Sequence, residues 1–222
     1  MIKIVAVDDD SDFKNVLSQL GETVENSIKE KVEARHINPN DFENTTTTIF
    51  VEVSNIAKQG CDLFAIDMNL KDTGTQPASN LAFALSIADA FRKENRTAIV
   101  FLYSGTLSKF IRELLAQDTT AKQKVAESNL KSIFQNQVAD FVSRDDLERE
   151  VILALNDLPI LLRIERALAN HGQRMVRGQE SLLKGKSFSE LALEVRKQTE
   201  LGRQISNMVS QHGIAALVDL NV

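Results

Sequence analysis

Three adjacent acids, Asp8-Asp9-Asp10, close a run from Ile2 to Val7 that is apolar except for Lys3. Asp67 ends a second such run, Leu63 to Ile66, and Ser104 with Gly105 ends a third, Ala98 to Tyr103. Short runs rich in Ile and Val that stop at a turn read as buried parallel strands. In open α/β sheets, ligands sit at the carboxyl ends of such strands. Three neighbouring carboxylates repel and raise one another's pKa unless a cation shares the site. A hard divalent ion with oxygen ligands, Mg2+ for example, is the simplest remedy. A carboxylate beside such an ion can attack phosphorus, while the ion, a hydroxyl and a further cation offset charge on the phosphoryl oxygens. Asp67 stands alone and is the best nucleophile, which leaves Asp8 and Asp9 for the ion. The main-chain carbonyl of Asn69 is a further candidate ligand. Asp10, Ser11 or Asp12 could instead cap the next helix, a job for one residue and not three. The expectation is one acid that caps and two that bind metal.

The elements that must carry these residues alternate along the chain. Phe13, Val16, Leu17, Leu20, Val24 and Ile28 recur at three- and four-residue steps, the stripe of a helix running to about Val32. A short strand over Glu33–Ile37 follows, closed by Asn38-Pro39-Asn40. The spacing then predicts a helix over Thr46–Lys58, a strand ending on Asp67, and a polar loop over Lys71–Ser79. A helix bearing Leu81, Ala84, Leu85, Ala88 and Phe91 leads to the strand that ends at Ser104. Two further helical stretches are expected. One carries Leu107, Phe110, Ile111, Leu114 and Leu115, the other spans Thr119–Gln135 with Val125, Leu130, Ile133 and Phe134. Val138–Val142 is the last strand. Alternation of this kind predicts a five-stranded parallel sheet covered on both faces over residues 1–150.

From residue 151 onward the pattern is helical. Pro159 kinks or restarts a helix, and Ile160, Leu161, Ile164 and Leu168 continue an apolar face. Ser187–Val209 has the length of a helix-turn-helix, and its apolar spacing reads equally well as one long packing helix. A helical hairpin over 151–222 cannot bury its own faces fully and is expected to need the α/β body or a second copy of itself, which makes it a candidate for homodimerisation. His171, flanked by Arg166, Arg174 and Arg177, reads as a solvated helix face.

The composition excludes several classes of function. Apolar residues make up 43% of the 222, enough for a core. No apolar run is long enough to cross a bilayer, and Met1-Ile2-Lys3 leads straight into the first strand, which no signal peptide does. Cys61 is the single cysteine, so no internal disulfide forms, and a cytoplasmic home is expected. With three His and one Cys, zinc has few ligands. Residues 1–150 hold 17 Lys and Arg against 24 Asp and Glu, a balance of −7, and residues 151–222 hold 9 against 7, or +2. Neither part is basic enough to announce nucleic acid.

Four segments together resemble the response-regulator receiver domain of two-component signalling. They are Ile4-Val5-Ala6-Val7-Asp8-Asp9-Asp10, Leu63-Phe64-Ala65-Ile66-Asp67, Phe101-Leu102-Tyr103-Ser104-Gly105 and Ala139-Asp140-Phe141-Val142-Ser143-Arg144. The resemblance covers about residues 1–150 and implies a flavodoxin-like, doubly wound sheet of five parallel strands. It implies that Asp67 accepts a phosphoryl group from a histidine kinase or phosphotransfer protein. Asp9 then binds Mg2+ directly and Asp8 assists. Ser104 takes the place of the hydroxyl residue that follows the phosphate, and Phe141 that of the aromatic switch. Arg144 stands where the family carries Lys, and Asp145 replaces the Pro that usually follows. An arginine keeps the charge in a larger, planar fork. The loop after Asp67 and the segment between Ser104 and Arg144 are both longer than in a typical receiver.

Two other readings use the same residues. Asp8-x-Asp10, Ser104 and Asp145-Asp146 are similar to the motifs of haloacid-dehalogenase-type phosphatases, a reading that gives Asp67 no role. Alternatively the acidic pocket is a relic, and the chain is a phosphorylation-independent adaptor whose helical tail binds a partner. The receiver reading makes the chain a signalling protein and not an enzyme in the ordinary sense.

Overall fold

The structure is a computed structural model of the chain, and it describes residues 1–42, 45–70, 80–105, 120–174, 183 and 185–219. The loop expected over Lys71–Ser79 and the helix expected to carry Leu107 to Leu115 lie outside the described residues. The chain divides into two compact units. One comprises Met1–Lys93 and Ala98–Asp157, the other Glu94–Thr97 and Leu158–Val222.

The first unit is an α/β body of flavodoxin-like topology. Its strands are β1 (Ile2–Val7), β2 (Val32–Ile37), β3 (Leu63–Asp67), β4 (Ile99–Ser104) and β5 (Asp140–Ser143). All pair in parallel, in the order β2-β1-β3-β4-β5. The described helices of this unit are α1 (Phe13–Ile28), α2 (Thr45–Gln59), α3 (Asn80–Glu94, of which Glu94 falls to the second unit), α4 (Thr120–Gln135) and α5 (Leu147–Asn156). Parallel strands need both faces covered, and the side chains obey. Val5, Val7, Phe64, Ile66, Val100 and Leu102 enter the core formed with α2 and α3. Ile4, Ala6, Leu63 and Ala65 alternate to the other face and are equally buried. There Phe13, at the start of α1, stacks on Tyr103 of β4.

Two points show how tightly the layers are set. A Cβ at Gly21 would stand 3.1 Å from the Cβ of Ala34, so glycine lets α1 lie close on β2. Arg92 is buried on α3 and gives its guanidinium to three carbonyls, those of Asn136, Ala98 and Gln137 at 2.6, 2.8 and 3.0 Å. A cation at the last carbonyls of α4 fixes that helix end to the start of β4.

Several apolar residues fall outside the expected stripes. The first helix stops at Ile28, because Lys29 takes the left-handed conformation, and β2 begins at Val32. Val16 is exposed, since the buried face follows Phe13, Leu17, Leu20 and Val24. On α4 the buried side passes through Ile133 and Asn136, three residues apart, which leaves Leu130 and Phe134 on the outer side; Phe134 is 78% exposed.

The second unit holds α6 (Ile160–Asn170), α7 (Phe188–Lys197) and α8 (Glu200–Asp219). Ile164, Leu191, Val195 and Ile205 form its core. Of the readings open for Ser187–Val209, the single long helix is overturned: the stretch forms two helices. Gln198 is left-handed (φ 50°), and Thr199 Oγ1 accepts from the Gly202 N–H at 3.1 Å, which caps the start of α8. A Cβ at Gly202 would lie 2.0 Å from the Glu194 carbonyl oxygen, so only glycine permits so sharp a corner. Arg196 and Glu165 form a buried ion pair at 2.6 Å, and Thr97 donates to the other Glu165 oxygen at 3.1 Å. Among the described residues, no helix is long and apolar enough to cross a membrane.

Candidate functional site

Strand order dictates where the site falls. From β1 the chain goes to β2 on one side and to β3 on the other, so the topological switch point lies between β1 and β3. Val7 pairs with Ile66, which brings Asp8 beside Asp67 at the carboxyl edge. Asp67 pairs with Tyr103 and Ser104 with Ser143, so β4 and β5 deliver Ser104 and Arg144 to the same edge. Asp8, Asp9 and Asp67 each offer one carboxylate oxygen within 4.8 Å of the others.

Asp8 is fully buried, and its carboxylate is held on both oxygens. Oδ1 accepts from the Asp10 N–H at 2.8 Å. Oδ2 accepts from the Tyr103 hydroxyl at 2.6 Å and from Arg144 Nη2 at 2.5 Å. His36 Nε2 lies 2.9 Å from the Asp8 carbonyl, and Asn40 donates to the Asp9 carbonyl at 3.2 Å. Asp10 points its carboxylate to Arg144 Nη1 at 3.3 Å, and its Oδ1 accepts from the Asp12 N–H at 3.0 Å. The acid expected to cap α1 thus closes a local turn instead: Asp12 holds the cap position with no side-chain bond to the helix.

Asp67 is 6% exposed and has a different set of neighbours. Its Oδ1 accepts from the Asn69 N–H at 2.9 Å, and its Oδ2 lies 3.6 Å from Arg144 Nη2. Burial pushes its pKa from the ordinary 3.8 to about 6. The charges of Asp8 and Asp9 add to that push, and the Asn69 N–H and Arg144 oppose it. Asn69 also donates its side-chain amide to Ser104 Oγ at 2.6 Å, and its carbonyl accepts from Asn80 at 3.2 Å. Among the described residues Asn80 is the one donor to that carbonyl, and a carbonyl oxygen accepts two.

Arg144 lies over the Phe13 ring at 5.2 Å and 5.9 Å from that of Tyr103. Burial works against its charge, and Asp8, Tyr103 and Asp67 outweigh that effect and hold the guanidinium charged. Its Nε is buried and meets no acceptor among the described residues, so the fork is not saturated. Phe141, half-buried, packs against the core shared with α2 and α3.

The donor set suits a hard divalent cation: carboxylate and carbonyl oxygens, with neither Cys nor His among them. A buried acid whose pKa is raised by burial, and further by neighbouring carboxylates, is what a bound cation relieves. No family model matches the chain, and no curated protein matches it.

The structure brings together Asp8, Asp9, Asp67, Asn69, Ser104 and Arg144, all singled out in the sequence. Sequence reasoning missed Tyr103, His36, Asn40 and the ring of Phe13. Tyr103 left one clue: it carries a hydroxyl at the end of an otherwise apolar strand, next to Ser104.

Proposed function

We propose that the first unit is a receiver-like phosphoacceptor in which Asp67 takes a phosphoryl group in the presence of Mg2+. The observation that carries this reading is the contrast between two buried aspartates at one sheet edge. Asp8 has donors on both oxygens, which makes it a poor nucleophile and speaks against the phosphatase reading. Among the described residues, Asp67 Oδ2 has only the 3.6 Å approach of Arg144. In the transfer, an Asp67 oxygen attacks phosphorus and the P–N bond of a phosphohistidine breaks. The electron pair stays with the imidazole, which takes up a proton, and an acyl phosphate remains on Asp67. Asp9, Asp67 and the Asn69 carbonyl would hold Mg2+, with Asp8 behind them. That ion supplies charge neutralisation at the phosphoryl oxygens. Ser104 Oγ and the unsaturated fork of Arg144 are the donors the chain adds for those oxygens. The partners that follow are a histidine kinase or phosphotransfer protein upstream. Downstream, the second unit would meet a target or another copy of itself.

The test is incubation with acetyl phosphate or phosphoramidate and Mg2+, followed by intact mass measurement. A single phosphoryl adduct, labile to alkali and absent from Asp67→Asn, is expected. An adduct that persists in Asp67→Asn, or none with wild type under any phosphodonor, overturns the proposal. Failure of all donors would favour the adaptor reading, which has one observation of its own: Arg144 already places a positive charge on Asp8.

A further inference from the structure

Asp8 Oδ2 has two lone-pair directions, and two donors fill them: the Tyr103 hydroxyl at 2.6 Å and Arg144 Nη2 at 2.5 Å. Its Oδ1 has one direction taken by the Asp10 N–H. Asp8 therefore offers a cation one free direction at most. Tyr103 cannot easily turn away, because it is fully buried and its ring stacks on Phe13 with centroids 5.4 Å apart. The hydroxyl's other neighbour, the Val7 carbonyl at 3.5 Å, is too distant to compete.

We infer that Tyr103 is a positioning residue that sets which divalent cation the site prefers, by withholding Asp8 Oδ2 from the ion. This rests on the proposal that Asp8, Asp9 and Asp67 surround a cation. Mg2+ binds few protein oxygens and keeps several waters, whereas Ca2+ takes six to eight oxygen ligands in flexible geometry. A site that rations its carboxylate oxygens favours the small, water-retaining ion. Freeing Oδ2 adds a ligand that Ca2+ can use and Mg2+ does not need.

The experiment is calorimetric titration of the full chain with MgCl2 and with CaCl2, for wild type and Tyr103→Phe. Phenylalanine keeps the ring and its stacking on Phe13 and removes only the donor. In the variant, Ca2+ affinity should rise by about tenfold, the equivalent of one hydrogen bond's competition, with Mg2+ affinity within about twofold of wild type. Equal shifts for both ions, or no shift, overturn the inference. If wild type binds neither ion, the cation site itself falls and this inference with it. Binding that is intact but unshifted removes the inference alone. A second measurement needs no variant. Tyr103 is the only tyrosine and the chain has no tryptophan, so the near-ultraviolet spectrum at wavelengths beyond the phenylalanine bands reports this phenol alone. Ca2+ should perturb that spectrum by drawing Asp8 away, and Mg2+ should leave it unchanged. Identical responses to the two ions contradict the inference.

Discussion

Asp67→Asn should stabilise the first unit when no divalent ion is present, and the gain should vanish in acid. Asparagine keeps an oxygen for the Asn69 N–H and removes the charge that Asp8 and Asp9 oppose. The native carboxyl binds its proton more tightly than the unfolded chain does, with a pKa of about 6 against the ordinary 3.8. Its ionised form therefore weighs against folding fully above the higher value and not at all below the lower one. Two pKa units correspond to about 3 kcal/mol, an upper limit that local relaxation reduces. A gain of about 1–3 kcal/mol is expected near pH 7, shrinking towards zero as the pH falls through 6 to about 4. Urea unfolding in chelator, followed by Tyr103 emission, reads this unit alone, because the only aromatic emitter of that class lies in β4. Added Mg2+ should then stabilise wild type more than the variant, by mass action at a site the variant has weakened. A variant less stable than wild type near neutral pH, or a gain of equal size at both pH values, would refute the electrostatic account.

Three further outcomes follow from other contacts. Arg144→Lys should retain charge near Asp8 and lose the bidentate reach to Asp10, and phosphoryl uptake from a small donor should change by less than about tenfold; Arg144→Ala should lower it further, as initial rates of adduct formation will reveal. Arg196→Ala leaves Glu165 buried with the Thr97 hydroxyl among its remaining neighbours and should cost the second unit about 3–5 kcal/mol, measured by denaturant-dependent hydrogen exchange in α6 to α8. Gly202→Ala places a Cβ 2.0 Å from the Glu194 carbonyl oxygen and should destabilise the same helices by more than about 2 kcal/mol, while leaving the Mg2+ affinity of the first unit unchanged.

The strands were legible because each is a local statement. Three mainly apolar runs and two mixed ones, each ending at turn or polar residues and separated by helix-period stripes, leave few arrangements other than a covered parallel sheet. The corner at Gln198 was harder to read, since neither Gln nor Thr is a strong breaker. Its signal lay in Thr199-Glu200 followed by Gly202, a cap, an acidic first turn and a close approach, none decisive alone. Exposure of Phe134 was illegible for another reason. A stripe at i and i+4 does not say which of two adjacent helix faces the sheet will cover, and here a polar residue, Asn136, marks the buried one by donating to the Leu85 carbonyl.

The site divides along the same line, between what a stretch of chain says of itself and what distant stretches do to it. That Asp8, Asp9 and Asp67 would meet follows from strand ends and the order of a doubly wound sheet. That Asp8 and Asp67 would play different parts does not. The donors that restrain Asp8 come from β4 and from beyond β5, 95 and 136 residues away, while Asp67 is held by its neighbour Asn69, two residues on. Spacing in the sequence counts carboxylates, and it cannot count the lone pairs those carboxylates still have free. The difference in free lone pairs separates a held acid from a reactive one, and it makes Tyr103, a residue with no chemistry of its own in this site, the natural place to test which ion the site accepts.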